Sequence, residues 1–140
     1  MADNKFLLQV VTPERIFYED NVDSVEFKTS EGDIGIYANH IPLTTPIVSG
    51  LMVIKNNSKE EQAAVHKGFV EITPERVTIL TDAAEWPHEI DEKRAEEAKI
   101  RAERRLEAEK AELSEIRAKS ALARSIVRLQ VVKYHNPSEE

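Results

Sequence analysis

The chain changes character at Trp86-Pro87. All four of its glycines (Gly32, Gly35, Gly50 and Gly68) lie before that point, among Val, Ile and Thr. Beyond it come Ala, Glu, Lys and Arg, and no glycine. β-Branched runs punctuated by Gly, Pro and Asn are strand-and-turn chemistry, whereas a glycine-free stretch of good helix formers is helix chemistry. With 140 residues the chain has room for one ordinary domain or two small ones. The switch divides it into a β domain, residues 1–86, and a helical domain, residues 87–140. Pro87 biases Trp86 away from helical backbone and sharpens the boundary.

The first half reads as nine or so short strands. Phe6–Val11 is apolar and β-prone, Arg15–Tyr18 follows the Thr12-Pro13-Glu14 turn, and Val25–Lys28 alternates with period two. Glu31-Gly32-Asp33 reads as a turn into Ile34–Tyr37. Pro42 and Pro46 flank Leu43–Thr45, which suits an edge or a corner. Leu51–Ile54 enters a hairpin at Asn56-Asn57 and Gln62–His66 returns from it. Gly68–Ile72 and Arg76–Leu80 are joined at Thr73-Pro74-Glu75. No segment of helical period separates these strands, so the expectation is an antiparallel β-sandwich or flattened barrel.

In the second half Asp91 is placed to cap a helix whose first turn is acidic, as the macrodipole favours. Ala95, Ala98, Ala102 and Leu106 then make a narrow stripe that lets another helix come close but buries little area. Ser114 is a candidate N-cap for a second helix with a fuller apolar face: Ala118, Leu122, Ile126, Leu129 and Val132, with Ala121 and Val127 beside it. Asn136-Pro137 ends it. A turn near residues 109–114 makes the pair an antiparallel hairpin.

Charge narrows the function. Residues 1–87 carry 14 acids and 7 bases, and residues 88–140 carry 12 of each, so the net charge of -7 belongs to the β half. That argues against nucleic acid as its partner. From Ile116 to Pro137 there are five bases (Arg117, Lys119, Arg124, Arg128 and Lys133) and no acid, a cationic helix that an acidic protein surface or a phosphate group attracts. Cysteine is absent, which excludes disulfides, thiolate metal sites and thiol chemistry. No apolar run approaches the ~20 residues of a membrane helix, and the first residues lack the basic region and cleavage site of an export signal.

There is no P-loop, no GxGxxG, no nucleophile elbow, and no ligand spacing among His40, His66, His88 and His135. The expectation is a non-catalytic chain that binds no metal. Arg94, Arg101 and Arg105 fall at offsets 0, 7 and 11, and Arg117, Arg124 and Arg128 repeat them. Such offsets return to one helix face. Two arginine stripes on antiparallel helices can converge on a phosphate. The plainer alternative is ordinary surface pairing, with Glu97 four residues ahead of Arg101. Trp86 has two readings as well, an aromatic plug where two domains meet or a stacking surface for a ligand.

Three stretches carry a resemblance: VVTPERIFYEDNVDSVEFKTSEGDIGIYANHIPLTTPI, GFVEITPERVTILTDAAE and IDEKRA. In order and spacing they are similar to the ε subunits of bacterial F-type ATP synthases, and the similarity spans essentially the whole chain. It implies a ten-stranded N-terminal sandwich that binds the γ subunit of the central stalk and touches the c-ring loops, with Glu31, Asp33 and His40 at those contacts. It implies a C-terminal helical hairpin that rises along γ into the αβ catalytic ring and inhibits ATP hydrolysis, using the basic residues Arg117, Lys119, Arg124, Arg128 and Lys133. It also implies ATP as a regulatory ligand of the folded-down arm. The family motif I/L-D-x-x-R-A falls on Ile90, Asp91, Arg94 and Ala95. Glu85 matches an acid on the adenine side, Arg101 the next arginine, and Arg124 and Arg128 the phosphate-facing pair. Ala38-Asn39-His40 departs from the family's more usual Pro-Gly-His. The implied location is the cytoplasmic face of the bacterial cell membrane, reached only through the complex. The competing readings are a free-standing nucleotide sensor or enzyme, and a static adaptor whose arm ignores ATP.

Overall fold

Alternation along each strand decides which side chains are enclosed. In Phe6–Val11 (β1) Phe6, Leu8 and Val10 point inward, and in Arg76–Thr81 (β9) Val77, Ile79 and Thr81 do. The computed structural model describes residues 4–108 and 112–135, and in the second segment it describes side chains from residue 115 onward. The chain divides into two compact units, Met1–Glu85 and Trp86–Glu140.

The first unit contains ten strands: β1, Ile16–Val22 (β2), Ser24–Thr29 (β3), Gly32–Tyr37 (β4), Leu43–Ile47 (β5), Gly50–Asn56 (β6), Lys59–Val65 (β7), Gly68–Ile72 (β8), β9 and Ala84–Glu85 (β10). They form one hydrogen-bonded sheet in the order β10-β7-β6-β3-β5-β8-β9-β1-β2, with β4 on β3. β2 folds back against β6, which closes the sheet into a sandwich. The sheet is antiparallel except at β1 and β9, which run parallel from Leu7↔Arg76 to Val11↔Leu80. Leu8, Ile36, Met52, Ile54, Ile72 and Ile79 fill the core.

Several local readings shift. Asp33 lies in β4, opposite Lys28, rather than in the turn, because the reversal is completed at Gly32, which takes φ 124°. The β6–β7 hairpin turns one residue later than expected. Asn57 and Ser58, with φ of 52° and 71°, are its central pair, as a two-residue turn with left-handed central residues requires. β5 pairs with β8 along five residue pairs but with β3 at one, Thr29↔Ile47. On that side the Pro46 carbonyl accepts from the Ser30 N–H at 3.3 Å, at the end of the β3–β5 pairing, where a residue lacking an N–H is tolerated.

The second unit begins with a 3₁₀ turn, Pro87–Glu89, followed by Glu92–Ala108 (α1) and Glu112–His135 (α2). The 3₁₀ turn and α1 both lie against α2. Ala95 and Ala102 of the expected stripe are buried, and Ala98 and Leu106 are half-buried. Ser114 falls inside α2 rather than ahead of it. The expected turn includes residues 109–111, and the expected stop lies at Asn136-Pro137; both lie outside the described residues. The apolar face of α2 differs from the expected one. Ala118, Ser125, Val127 and Val131 are buried, while Ile126 is 44% exposed. Val127 and Val131 lie well round the helix from Ala118 and Ser125, so α2 is covered on two sides rather than along one stripe.

Candidate functional site

The outer face of the sandwich carries a row of apolar side chains. Strand register aligns Pro46 with Phe69, Phe69 with Leu80, Leu80 with Val11 and Val11 with Ile16. The row therefore crosses five strands, about 19 Å at ordinary strand spacing. Phe69, Leu80 and Ile16 are 57%, 54% and 58% exposed. One step along the strands the outward row becomes Thr44, Glu71, Thr78, Gln9 and Glu19, all polar. A contiguous apolar strip beside a polar one is the anatomy of a protein-binding surface. Gly68 fixes the geometry at one point, since a Cβ there would lie 1.9 Å from the Leu80 carbonyl oxygen. Sequence reading missed this row. Its signal was phase: Phe69 and Leu80 are apolar at positions out of step with the core residues Val70 and Ile79.

Glu31 sits at the exposed tip of the β3–β4 hairpin, where its N–H donates to Thr29 Oγ1 at 3.2 Å. His40 follows β4, with its Nδ1 2.7 Å from the Ile41 carbonyl oxygen. Just before it Asn39 takes φ 63° and donates its N–H to the Pro74 carbonyl at 3.1 Å. Asparagine tolerates left-handed backbone, so Asn39 can serve where the more usual pattern has glycine.

In the helical unit Asp91 is the N-cap of α1. Its Oδ1 accepts from the Arg94 N–H at 3.0 Å and its carbonyl from the Ala95 N–H at 2.9 Å. Ile90 closes the 3₁₀ turn, donating its N–H to Pro87. Upstream, the Trp86 N–H donates to Glu89 Oε1 at 2.9 Å, and the Trp86 ring is half-buried. Asp91, Lys93, Arg94, Glu97 and Arg101 line an open depression of about 400 Å³ along the first turns of α1. Three cations against two carboxylates leave it net positive, and Glu97 and Arg101 do not pair with each other among the described residues. Arg124 and Arg128 of α2 do not line this depression; Arg124 donates to Ser120 Oγ at 2.8 Å. Farther along, Arg117 and Lys133 are exposed, and Lys119 pairs with Glu115 at 3.0 Å.

Glu85 belongs to β10, where its Oε1 accepts from Nε2 of the buried His66 at 2.9 Å. Among the described residues there is no metal-binding cluster, and no helix is long and apolar enough to cross a membrane.

Two family models together match almost the whole chain: the β-sandwich domain of the ATP synthase delta/epsilon chain over residues 5–87, and its long α-helix domain over residues 88–133. The chain belongs to the ATP synthase delta/epsilon chain family. Among similar curated proteins, the ATP synthase epsilon chain of Caldanaerobacter subterraneus subsp. tengcongensis is 45% identical over 92% of this chain and 94% of its own length. The ATP synthase epsilon chain of Shouchella clausii is 46% identical over 91% and 94%. Among solved structures, a chain of the Euglena gracilis mitochondrial ATP synthase (OSCP/F1/c-ring) matches with a TM-score of 0.79 at 19% identity, covering 94% of this chain and 81% of that one. A chain of the Tetrahymena thermophila mitochondrial ATP synthase (central stalk/c-ring) matches with a TM-score of 0.62 at 16% identity, covering 91% and 96%. At these identities the structural likeness is one of fold.

Proposed function

We propose that the chain is the non-catalytic epsilon subunit of a bacterial F-type ATP synthase central stalk. On this reading the sandwich docks on the γ subunit through the row Pro46, Phe69, Leu80, Val11 and Ile16, with His40, beside the β8–β9 turn at the other end of that hairpin, as a separate contact. Glu31 and Asp33 meet the c-ring loops. The assembly then sits at the cytoplasmic face of the cell membrane, held there through its partners. The observation that carries the reading is the exposed five-strand apolar row in a member of this family. The test is co-purification with γ. Phe69→Glu combined with Leu80→Glu places two charges in the centre of the row and costs about 2 kcal/mol or more of affinity. Glu71→Gln on the polar row leaves binding intact. If the doubly charged variant still binds γ normally, the row is not the docking surface.

The second part of the proposal concerns the arm. The helical pair folds down beside its own sandwich in one state and rises into the αβ ring in another, where Arg117, Lys119, Arg124, Arg128 and Lys133 meet acidic surface and hydrolysis is inhibited. ATP is the regulatory ligand of the folded-down state, held by Asp91, Arg94 and Arg101, with Ile90 and Ala95 shaping the helix start, Arg124 and Arg128 from α2, and Glu85 six residues ahead of Asp91. Support comes from the net-positive depression at the start of α1, since guanidinium groups suit polyphosphate. A ligand that binds one state alone shifts the balance by about 2.7 kcal/mol at a hundredfold excess over its Kd, enough to flip a balanced arm. Calorimetric titration should give ATP binding that weakens about tenfold or more in Arg94→Ala. Equal binding in that variant would remove Arg94 from the site.

A further inference from the structure

The chain leaves the sandwich through residues 82–85, and the helical unit begins at the next residue, Trp86. The last piece of this exit segment is β10, which stands at the end of the sheet and pairs with β7 alone among the described strands, at Ala84↔Val65 and Glu85↔Ala64. Ala84 is the buried residue of the pair. A two-residue strand that buries one methyl group frays unless something besides the ladder holds it.

The hold is His66, in the β7–β8 connection, 1% exposed. Its N–H donates to the Ala83 carbonyl at 3.0 Å, and its carbonyl accepts from Thr81 Oγ1 at 2.8 Å. Its ring Nε2 lies 2.9 Å from Glu85 Oε1. An ionised carboxylate only accepts, so Nε2 carries the hydrogen. Nδ1 lies 3.0 Å from Ser49 Oγ, in the β5–β6 connection, which braces the ring from behind. One buried residue therefore grips the chain at Thr81, Ala83 and Glu85 and is itself fixed to the body of the sandwich. The contact from Arg15 Nη2 to the Ala84 carbonyl, at 3.5 Å, is too long to add much.

We propose that β10 is a releasable latch and His66 its catch. With the catch engaged, the chain is fixed to the sandwich as far as Glu85. On release, residues 82–85 join the linker to the helical unit and add up to about 14 Å of reach. The length of that tether is thus set inside the sandwich. The use of the latch rests on the reading of the helical pair as a movable arm; the latch itself involves neither ATP nor γ.

The experiment is native-state amide exchange on the full chain. Asp82 is the reporter, because its N–H donates to the Lys67 carbonyl at 2.9 Å and is freed when the exit segment lifts. The amides of β3 and β6 are the control. His66→Leu removes both ring bonds and raises exchange at Asp82 about tenfold, with the control amides within about twofold of wild type. His66→Gln, whose amide can donate to Glu85, brings Asp82 back to within about threefold. A glutamate-specific protease must take the Glu85 side chain from His66, so its cleavage of the Glu85–Trp86 bond rises with the exchange rate in His66→Leu. Wild-type exchange at Asp82 in His66→Leu overturns the proposal. Equal acceleration at Asp82 and in the control overturns it too, since the segment then opens only with the whole sandwich. Where His66→Leu does not fold, Glu85→Ala takes its place, with an expected rise of about fivefold at Asp82 alone, and no rise overturns the proposal. In an assembled complex whose arm does not move, Asp82 still responds to His66→Leu, so failure of the arm reading and failure of the latch are told apart.

Discussion

In the sandwich, Ile54, Ile72 and Ile79 are among the fully buried side chains; in the helical pair, the buried side chains among the described residues are Ala95, Ala102, Ala118, Ser125, Val127 and Val131, none larger than valine. A buried isoleucine contributes roughly 1.5–3 kcal/mol and an alanine far less. The two units are therefore built to different strengths. The sandwich holds its exposed apolar row in fixed register, as the proposed docking on a partner requires. The helical pair buries smaller side chains, which part at less cost, as the proposed movable arm requires.

The contrast can be broken most directly at Ile79. Ile79→Ala removes buried methyl groups from the centre of the sandwich and should cost about 2–5 kcal/mol, seen as a lower urea midpoint for the β signal. A loss below about 1 kcal/mol would mean that the sandwich core is no firmer than the helical interface.

At Asp91 the expected effect is smaller and confined to the other unit. Asp91→Ala deletes the bond to the Arg94 N–H and should cost about 1 kcal/mol of helix stability, read as faster hydrogen exchange in the first turn of α1 with the sandwich amides unchanged. Asp91→Asn keeps the cap. If Asp91→Asn also loses ATP binding while the helix stays intact, the carboxylate serves the ligand as well as the fold.

The smallest effect lies at Asp23. Its carboxyl is held below its ordinary value of 3.8 chiefly by the Asn57 N–H; desolvation opposes this, and the hydrogen bond and charge of Lys5 add to the lowering. A depressed pKa gives stability that is present above the unfolded value and is lost as pH falls through the folded one. Acid should therefore lower the melting temperature of the wild type slightly more than that of Asp23→Asn below about pH 4. Parallel curves would show that this exposed carboxylate contributes nothing to the sandwich.

Legibility followed the same divide. Val25–Lys28 announced β3 because one side faces a core and the other water, and period two survives that asymmetry. β10 has only Ala84 and Glu85, too few residues to show any period; only its pairing with Ala64 and Val65 makes it a strand. The alanine stripe of α1 was readable because its neighbours are charged. The buried face of α2 was not, because Leu122, Ile126, Val127, Leu129, Val131 and Val132 surround the helix and no single stripe stands out. At the candidate sites helical spacing put Arg94, Arg101 and Arg105 on one face, and the first two line the depression while Arg105 does not; Asp91 was readable as a cap and as part of the I/L-D-x-x-R-A motif. The apolar row and the Ser49–His66–Glu85 chain depend on register between distant strands, which no local pattern carries.

The parallel pairing of β1 with β9 also dictates an order of assembly. Val11 cannot meet Leu80 until the ribosome has made β9, so the first strand to emerge, paired early with β2, must wait for nearly the whole sandwich before finding its second neighbour. Contacts so far apart along the chain slow folding, whereas the helices behind them close locally. The sheet's closing step thus falls just before the helical arm is synthesised, and a chain stalled short of residue 81 carries an unpaired β1 edge open to the wrong partner.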